Sequence, residues 1–322
     1  MTTVPVIRDT QFPAAQAWTA SSLDAPESWY YPLSQEAFAL IQRFLAEAGE
    51  GEAERPIEDY VLPEDLRSEL RGHLKPVIDA LEEGRGFAIV TCIDPKVYTE
   101  RHQKLIYWLV SQALGTPFEQ NVQGTRIYDV RDTGYKVEQG ARFSVTNAES
   151  TFHTDNSFGD TVLDYVGLLV LKTARSGGLS QTVSGYTVYN ELLVHDPEAL
   201  ETLSRPFHVD RRGGVKPGQE STVQYPVFLV DGQELLVRYL RYWIHEGHDK
   251  AGVPLSDEQI RALDLLDELL ARPDLRAEFA LKPGEIFFIN NRWILHNRTA
   301  FEDHPEPERR RHLIRLWIRR DG

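Results

Sequence analysis

The sequence predicts a mainly β fold with flanking helices, and three observations lead there. Helical signals crowd the first third of the chain, and short β-rich runs separated by turn residues fill the rest from Gly124 onward. No Gly/Ser- or Pro-rich linker divides the two. With 322 residues, 41% of them apolar and 10% aromatic, the chain can bury a large core. It reads as one domain over residues 1–322, with a helix-rich N-terminal part to about residue 115 and a β core from about residue 116.

The elements follow in order. Ser34 caps a segment whose apolar residues Ala37, Leu40, Ile41, Phe44 and Leu45 recur at helical spacing, with Gly49 at its exit. Residues 47–69 are rich in carboxylates, a solvated face, and pass into a leucine-spaced run through Leu66, Leu70, Leu74, Val77 and Leu81. A short strand over Phe87–Thr91 precedes a helix over residues 99–114 that ends at Gly115 before Pro117. Strands are expected at 127–130, 165–171 and 181–188, and as a hairpin about Asp231-Gly232. One helix interrupts them, Asp257–Ala271, where Ser256 and Gln259 make a capping box and Pro273 ends the run. A last β pair is expected from Glu285–Asn290 and residues 313–319. The sum is a β-sandwich with a helical layer packed on it.

Charge and motifs exclude several function classes. The formal net charge of −14 argues against nucleic acid or an anionic membrane as partner, because both demand a basic surface. No apolar run reaches the roughly 20 residues that span a bilayer, and residues 1–12 lack the basic and apolar regions of a signal peptide, so a soluble, cytoplasmic protein is expected. The single cysteine, Cys92, lies in an apolar run and reads as a buried structural thiol.

His153 and Asp155 are two residues apart, the spacing that turns two side chains to one face of an extended strand. A second neutral imidazole, for which His296 is the candidate, completes a two-histidine, one-carboxylate set suited to Fe(II). His208 and Asp210 have the same spacing and serve as a control. They run directly into Arg211-Arg212-Gly213-Gly214, whereas His153 is followed by a buried-strand pattern and then Ser176-Gly177-Gly178-Leu179-Ser180, which favours the first pair. Near the C-terminus Arg311, Leu313, Arg315 and Trp317 share one face of an alternating strand. Inward arginines there need anionic partners, and a dicarboxylate co-substrate meets that need.

Together these motifs resemble the taurine dioxygenase and 2,4-dichlorophenoxyacetate dioxygenase family of Fe(II)/2-oxoglutarate-dependent oxygenases, within the clavaminate synthase-like group. The resemblance rests on F-H-T-D at 152–155, S-G-G-L-S at 176–180, K-P-G-E at 282–285, N-N-R-W-I-L-H-N-R at 290–298 and R-H-L-I-R at 311–315. It implies a double-stranded β-helix, or jelly roll, with His153, Asp155 and His296 as iron ligands and Arg311 on the distal carboxylate of 2-oxoglutarate. Ser180 stands where the family commonly has a threonine bonded to that co-substrate. Asp155 itself favours hydroxylation, since halogenating relatives carry glycine or alanine there.

The expected activity is oxidation, most simply C–H hydroxylation, of a small substrate with O2 and 2-oxoglutarate, yielding succinate. Arg315, Asn147, Asn156, Phe158 and Arg238 are candidates to line the substrate pocket, and arginines there favour an anionic, carboxylate- or amino-acid-like molecule, free or carrier-bound. A jelly-roll metalloenzyme without 2-oxoglutarate and a non-catalytic ligand-binding sandwich are the alternatives. The oligomeric state is left open.

Overall fold

The computed structural model describes residues 7–49, 55–134, 146–212, 215 and 218–321. Its N-terminal part runs β1 (Tyr30–Pro32), α1 (Gln35–Glu47), α2 (Glu64–His73), α3 (Lys75–Glu82), β2 (Phe87–Thr91), α4 (Glu100–Leu114), β3 (Thr116–Phe118) and β4 (Tyr128–Val130). There follow β5 (Tyr165–Lys172), β6 (Ser176–Gly177), β7 (Ser180–Ser184), α5 (Gly185–His195), α6 (Pro197–Leu203), β8 (Phe207–Asp210), β9 (Thr222–Tyr225), β10 (Phe228–Asp231) and β11 (Glu234–Val237). The chain closes with α7 (Arg241–Ala251), α8 (Asp257–Ala271), β12 (Arg276–Phe279), β13 (Glu285–Asn290), β14 (Ile294–Arg298), β15 (Phe301–Glu302) and β16 (His312–Arg319).

A large sheet in the order β1-β2-β13-β5-β16-β3, with β4 also on β16, faces a small sheet in the order β12-β7-β14. Every pairing in the two is antiparallel except β1 with β2. Period-two alternation divides the large sheet between two cores. Phe87, Ile89, Phe287 and Ile289 pack toward Val183, Ala277 and Leu295 of the small sheet and toward α5, α6 and α8. Their alternates Ala88, Val90, Ile286 and Phe288, with Leu169, Ile314, Leu316 and Ile318, pack under α1 to α4. Two facing antiparallel sheets with the helices outside make the jelly-roll architecture.

The caps that were legible in the sequence hold their helices. The hydroxyls of Ser34, Thr99 and Ser256 accept the N–H groups of Ala37, His102 and Gln259, and the Ser256–Gln259 box is reciprocal. Four expectations need correction. The leucine-spaced run is two helices that meet at Leu74, because Pro76 has no N–H for a continuous helical ladder. The strand expected over 181–188 stops at Ser184, whose hydroxyl accepts the Thr187 N–H and starts α5. Helices α6 and α7 join α8 in a region read as nearly all β; α6 opens with an Asp196 cap and Pro197, and α7 closes on Gly252 at φ +65°. Finally, β13 and β16 do not pair with each other, since β5 lies between them. Among the described residues no helix is long and apolar enough to cross a membrane.

Candidate metal centre and its cavity

His153, Asp155 and His296 each offer one ligand atom, and these atoms lie within 4.8 Å of one another, the one such His/Cys/Asp/Glu cluster among the described residues. The segment carrying the first two is extended only through Thr154, and a turn begins at Asp155. Neighbouring strands hold it on both sides. The His153 N–H donates to the His296 carbonyl at 3.1 Å, and the His153 carbonyl accepts the His296 N–H at 2.9 Å. The Thr154 N–H donates to the Tyr239 carbonyl at 2.9 Å, and the Asn291 amide takes the Asp155 N–H at 2.8 Å while donating to the Asp155 carbonyl at 3.0 Å. Asn156 then turns the chain away in the left-handed region at φ +55°.

Hydrogen bonding and burial orient the three groups and set the charge of His296 and Asp155. His153 Nδ1 lies 2.7 Å from the Thr151 carbonyl, which can only accept, so Nδ1 carries the proton and the Nε2 lone pair points toward Asp155 Oδ1, 3.5 Å away. Burial pushes His296 down to about 3 and keeps that imidazole neutral, with Nδ1 buried and without a partner among the described residues. Burial raises the Asp155 carboxyl, but the Arg315 guanidinium outweighs it and holds the group ionised, well below the usual range. Asp155 Oδ2 accepts from Trp317 Nε1 at 2.9 Å and lies 3.0 Å from Arg315 Nη1, whose Nε donates to Gln120 at 2.8 Å. Two imidazoles and one fixed carboxylate make a donor set that fits Fe(II), leaving room for further ligands.

The cluster opens into a cavity of about 160 Å³ lined by His153, Asp155, Asn156, Phe158, Ser180, His296, Arg298, Arg311, Arg315 and Trp317, with Arg212, Leu240 and Trp243 from the surrounding segments. At one end the Arg311 guanidinium is buried, and desolvation, then Arg298, pushes it down to about 9. Asp303 accepts the Arg311 backbone N–H at 2.7 Å, its other oxygen is buried with no hydrogen-bond partner among the described residues, and its charge offsets only part of the guanidinium's desolvation. The two glycines before Leu179 have φ of +73° and +69°. A Cβ on Gly177 would sit 2.2 Å from the Ala300 carbonyl, which explains why the turn into β7 needs glycine there.

Of the residues expected to line the pocket, Asn156, Phe158 and Arg315 do so and Asn147 and Arg238 do not. Asn147 is exposed and contributes its carbonyl to the Phe301 N–H. Arg238 lies behind the metal loop, donating to the Gly159 carbonyl at 2.7 Å and packing over Tyr225. Arg315 is paired to Asp155 from inside the cavity. The control pair took another course: Asp210 on β8 binds Lys250 at 2.8 Å and caps the Arg212 N–H at 2.9 Å. Arg298 was missed, although it stands two residues beyond His296 and strand period alone puts both on one face. Arg212, which stacks on Trp243 at 3.8 Å, had no signal in the sequence.

Comparison with known proteins places this arrangement. The profile of the taurine catabolism dioxygenase TauD, TfdA family matches residues 54–317. FR-33289 synthase of Streptomyces rubellomurinus is 26% identical over 307 residues, 94% of this chain and 88% of that protein. Uridine-5′-phosphate dioxygenase of an Amycolatopsis species is 30% identical over 177 residues, 53% of this chain and 61% of that protein. Among solved structures, asparagine oxygenase in complex with Fe(II), 3-hydroxyasparagine and succinate superposes with a TM-score of 0.68 at 18% identity, covering 90% of this chain and 93% of that one. That last similarity is one of fold.

Proposed function

We propose, from the premise that this chain belongs to the taurine catabolism dioxygenase TauD, TfdA family, that it is a non-haem Fe(II)/2-oxoglutarate-dependent oxygenase. The observation that carries the reading is a two-histidine, one-carboxylate cluster sharing one cavity with a buried guanidinium that makes no ion pair among the described residues. His153, Asp155 and His296 would hold the iron, and Arg311 with the Ser180 hydroxyl would hold the distal carboxylate of 2-oxoglutarate. Iron so bound, with 2-oxoglutarate and dioxygen, supplies the oxidising chemistry: the keto acid becomes succinate and carbon dioxide, and one oxygen atom enters a substrate C–H bond.

The chain's own side chains do the rest. Thr151 fixes the His153 tautomer, Trp317 and Arg315 fix the rotamer and charge of Asp155, and burial keeps His296 unprotonated. A jelly-roll metalloenzyme without 2-oxoglutarate would leave Arg311 without an anion, at a considerable desolvation cost. We read residues 1–322 as one domain, since β1 and β2 of the helix-rich part hydrogen-bond into the same sheet as β13 and β5.

The substrate is a small anion, carboxylate- or amino-acid-like. Arg212, Arg298, Arg311 and Arg315 line the cavity against one carboxylate, Asp155, in a protein whose net charge is −14. The charges of Fe(II) and 2-oxoglutarate offset each other, so a surplus of cation remains for the third occupant. The Amycolatopsis relative is named for a phosphorylated substrate, which supports the same charge. Hydroxylation is the simplest outcome with a carboxylate ligand at Asp155. The test has two arms. Anaerobic Fe(II) with 2-oxoglutarate should give a weak visible charge-transfer band, and a panel of amino acids, small carboxylates and phosphate esters should contain compounds that raise succinate release above the uncoupled rate. No band in the wild type would sink the reading.

A further inference from the structure

We propose that Arg298 is a second guanidinium for the distal carboxylate of 2-oxoglutarate, so that this end of the cavity grips the co-substrate with two arginines and a serine. The inference rests on the 2-oxoglutarate reading above and extends it to a residue that reading does not use.

Three observations converge. Arg298 on β14 is the direct cross-strand partner of Ser180 on β7, and His296 is that of Thr182, so Arg298, His296 and Ser180 present their side chains on one face. Arg298 and Arg311 both lie over the ring of Phe301, with guanidinium carbons 4.6 and 5.1 Å from its centroid, which brings two cations around one aromatic side chain. The Arg298 guanidinium is also half satisfied: Nη2 donates to the Ala148 carbonyl, whereas Nη1 is buried with no partner among the described residues.

Like charges in a desolvated corner repel. Arg311 is lowered by burial and then by Arg298. A structural pair of arginines would be expected to carry a carboxylate between them. Here one planar oxyanion would satisfy the free Nη1 and the Arg311 fork together and remove the repulsion.

The test uses the full chain loaded with Mn(II), which supports binding without turnover, and titrates 2-oxoglutarate and 2-oxopentanoate, its analogue lacking the distal carboxylate, by calorimetry. Arg298→Met keeps the apolar stem over Phe301 and removes the charge. We expect it to weaken 2-oxoglutarate by at least about tenfold and to narrow the preference over 2-oxopentanoate by a similar factor. The melting temperature of the ligand-free protein should stay unchanged or rise, because an unpaired buried cation is gone. Arg311→Met should weaken 2-oxoglutarate more, with Mn(II) binding intact in both variants. Wild-type affinity in Arg298→Met overturns the proposal. So does a fall in ligand-free melting temperature with the preference over 2-oxopentanoate unmoved, since that marks a structural role at Ala148. Failure of the wild type to bind 2-oxoglutarate at all overturns the functional reading and this one with it, whereas wild-type binding that survives Arg298→Met overturns this one alone.

Discussion

His153 and His296 exchange both of their backbone hydrogen bonds, at 3.1 and 2.9 Å, and their rings lie 4.4 Å apart between centroids. Two proposed ligands far apart in the chain are thus joined through the main chain, and the side chains inherit their spacing from that pair. The backbone bridge does not depend on the imidazoles.

Truncating an imidazole should therefore separate binding from folding. His153→Ala is expected to lower Mn(II) or Fe(II) affinity by about a hundredfold or more while its melting temperature stays close to that of the wild type. Equilibrium dialysis with metal analysis, beside a thermal melt, checks both halves. Retained metal with lost stability would assign His153 a structural part.

The indole of Trp317 gives a graded version of the same test. Its Nε1–H donates to Asp155 Oδ2 at 2.9 Å. Trp317→Phe keeps most of the ring packing and removes that donor, so metal affinity should fall about tenfold with 2-oxoglutarate binding otherwise preserved. Metal titration of the two proteins side by side decides it.

Arg238 should behave as a buttress for the metal loop. Its guanidinium donates to the Gly159 carbonyl at 2.7 Å and more weakly to that of Ser157 at 3.4 Å. Arg238→Ala is expected to cost about 1–3 kcal/mol of stability in urea unfolding and to leave 2-oxoglutarate affinity within about twofold. A change confined to substrate KM, at wild-type stability, would restore it to the pocket.

Cys92 should resist thiol reagents. Burial pushes its thiol up to about 12, so in the folded protein it stays protonated where an exposed thiol, with a pKa of about 8.5, has ionised. The folded state then binds more protons than the unfolded one between those two values, and the cysteine's contribution to stability is full below the lower value and declines as pH rises toward 12. Ellman's reagent at pH 8 should report almost no free thiol until denaturant is added, and Cys92→Ala should soften the alkaline loss of stability.

What could be read in advance followed local rules. Ser34, Thr99 and Ser256 announced their helices because a cap is a contact within four residues. The large alternating strands were legible for the same reason, and so was the shared face of Arg311, Leu313, Arg315 and Trp317, all of which line the cavity. Failures came where tertiary contact overrode propensity. Thr182, Val183, Thr187 and Val188 look like one strand, yet the chain turns helical after Ser184 as Gly185 passes the Trp293 carbonyl so closely that a Cβ would lie 2.6 Å from it. Arg238 and Arg315 were indistinguishable as sequence; only the fold sets one behind the metal loop and the other beside Asp155.

The two-sided character of β16 has a consequence for how such a protein can vary. One face carries Arg311, Leu313, Arg315 and Trp317 into the cavity, and the other carries Ile314, Leu316 and Ile318 into the core beneath the N-terminal helices. Substitutions along this strand can retune affinity one position at a time. A single residue inserted within the strand between Leu313 and Arg315 would turn Arg315 and Trp317 toward hydrocarbon and take both from the Asp155 carboxylate. Diversification of specificity is thereby channelled into the loops, where length is free, while this strand keeps its reading frame.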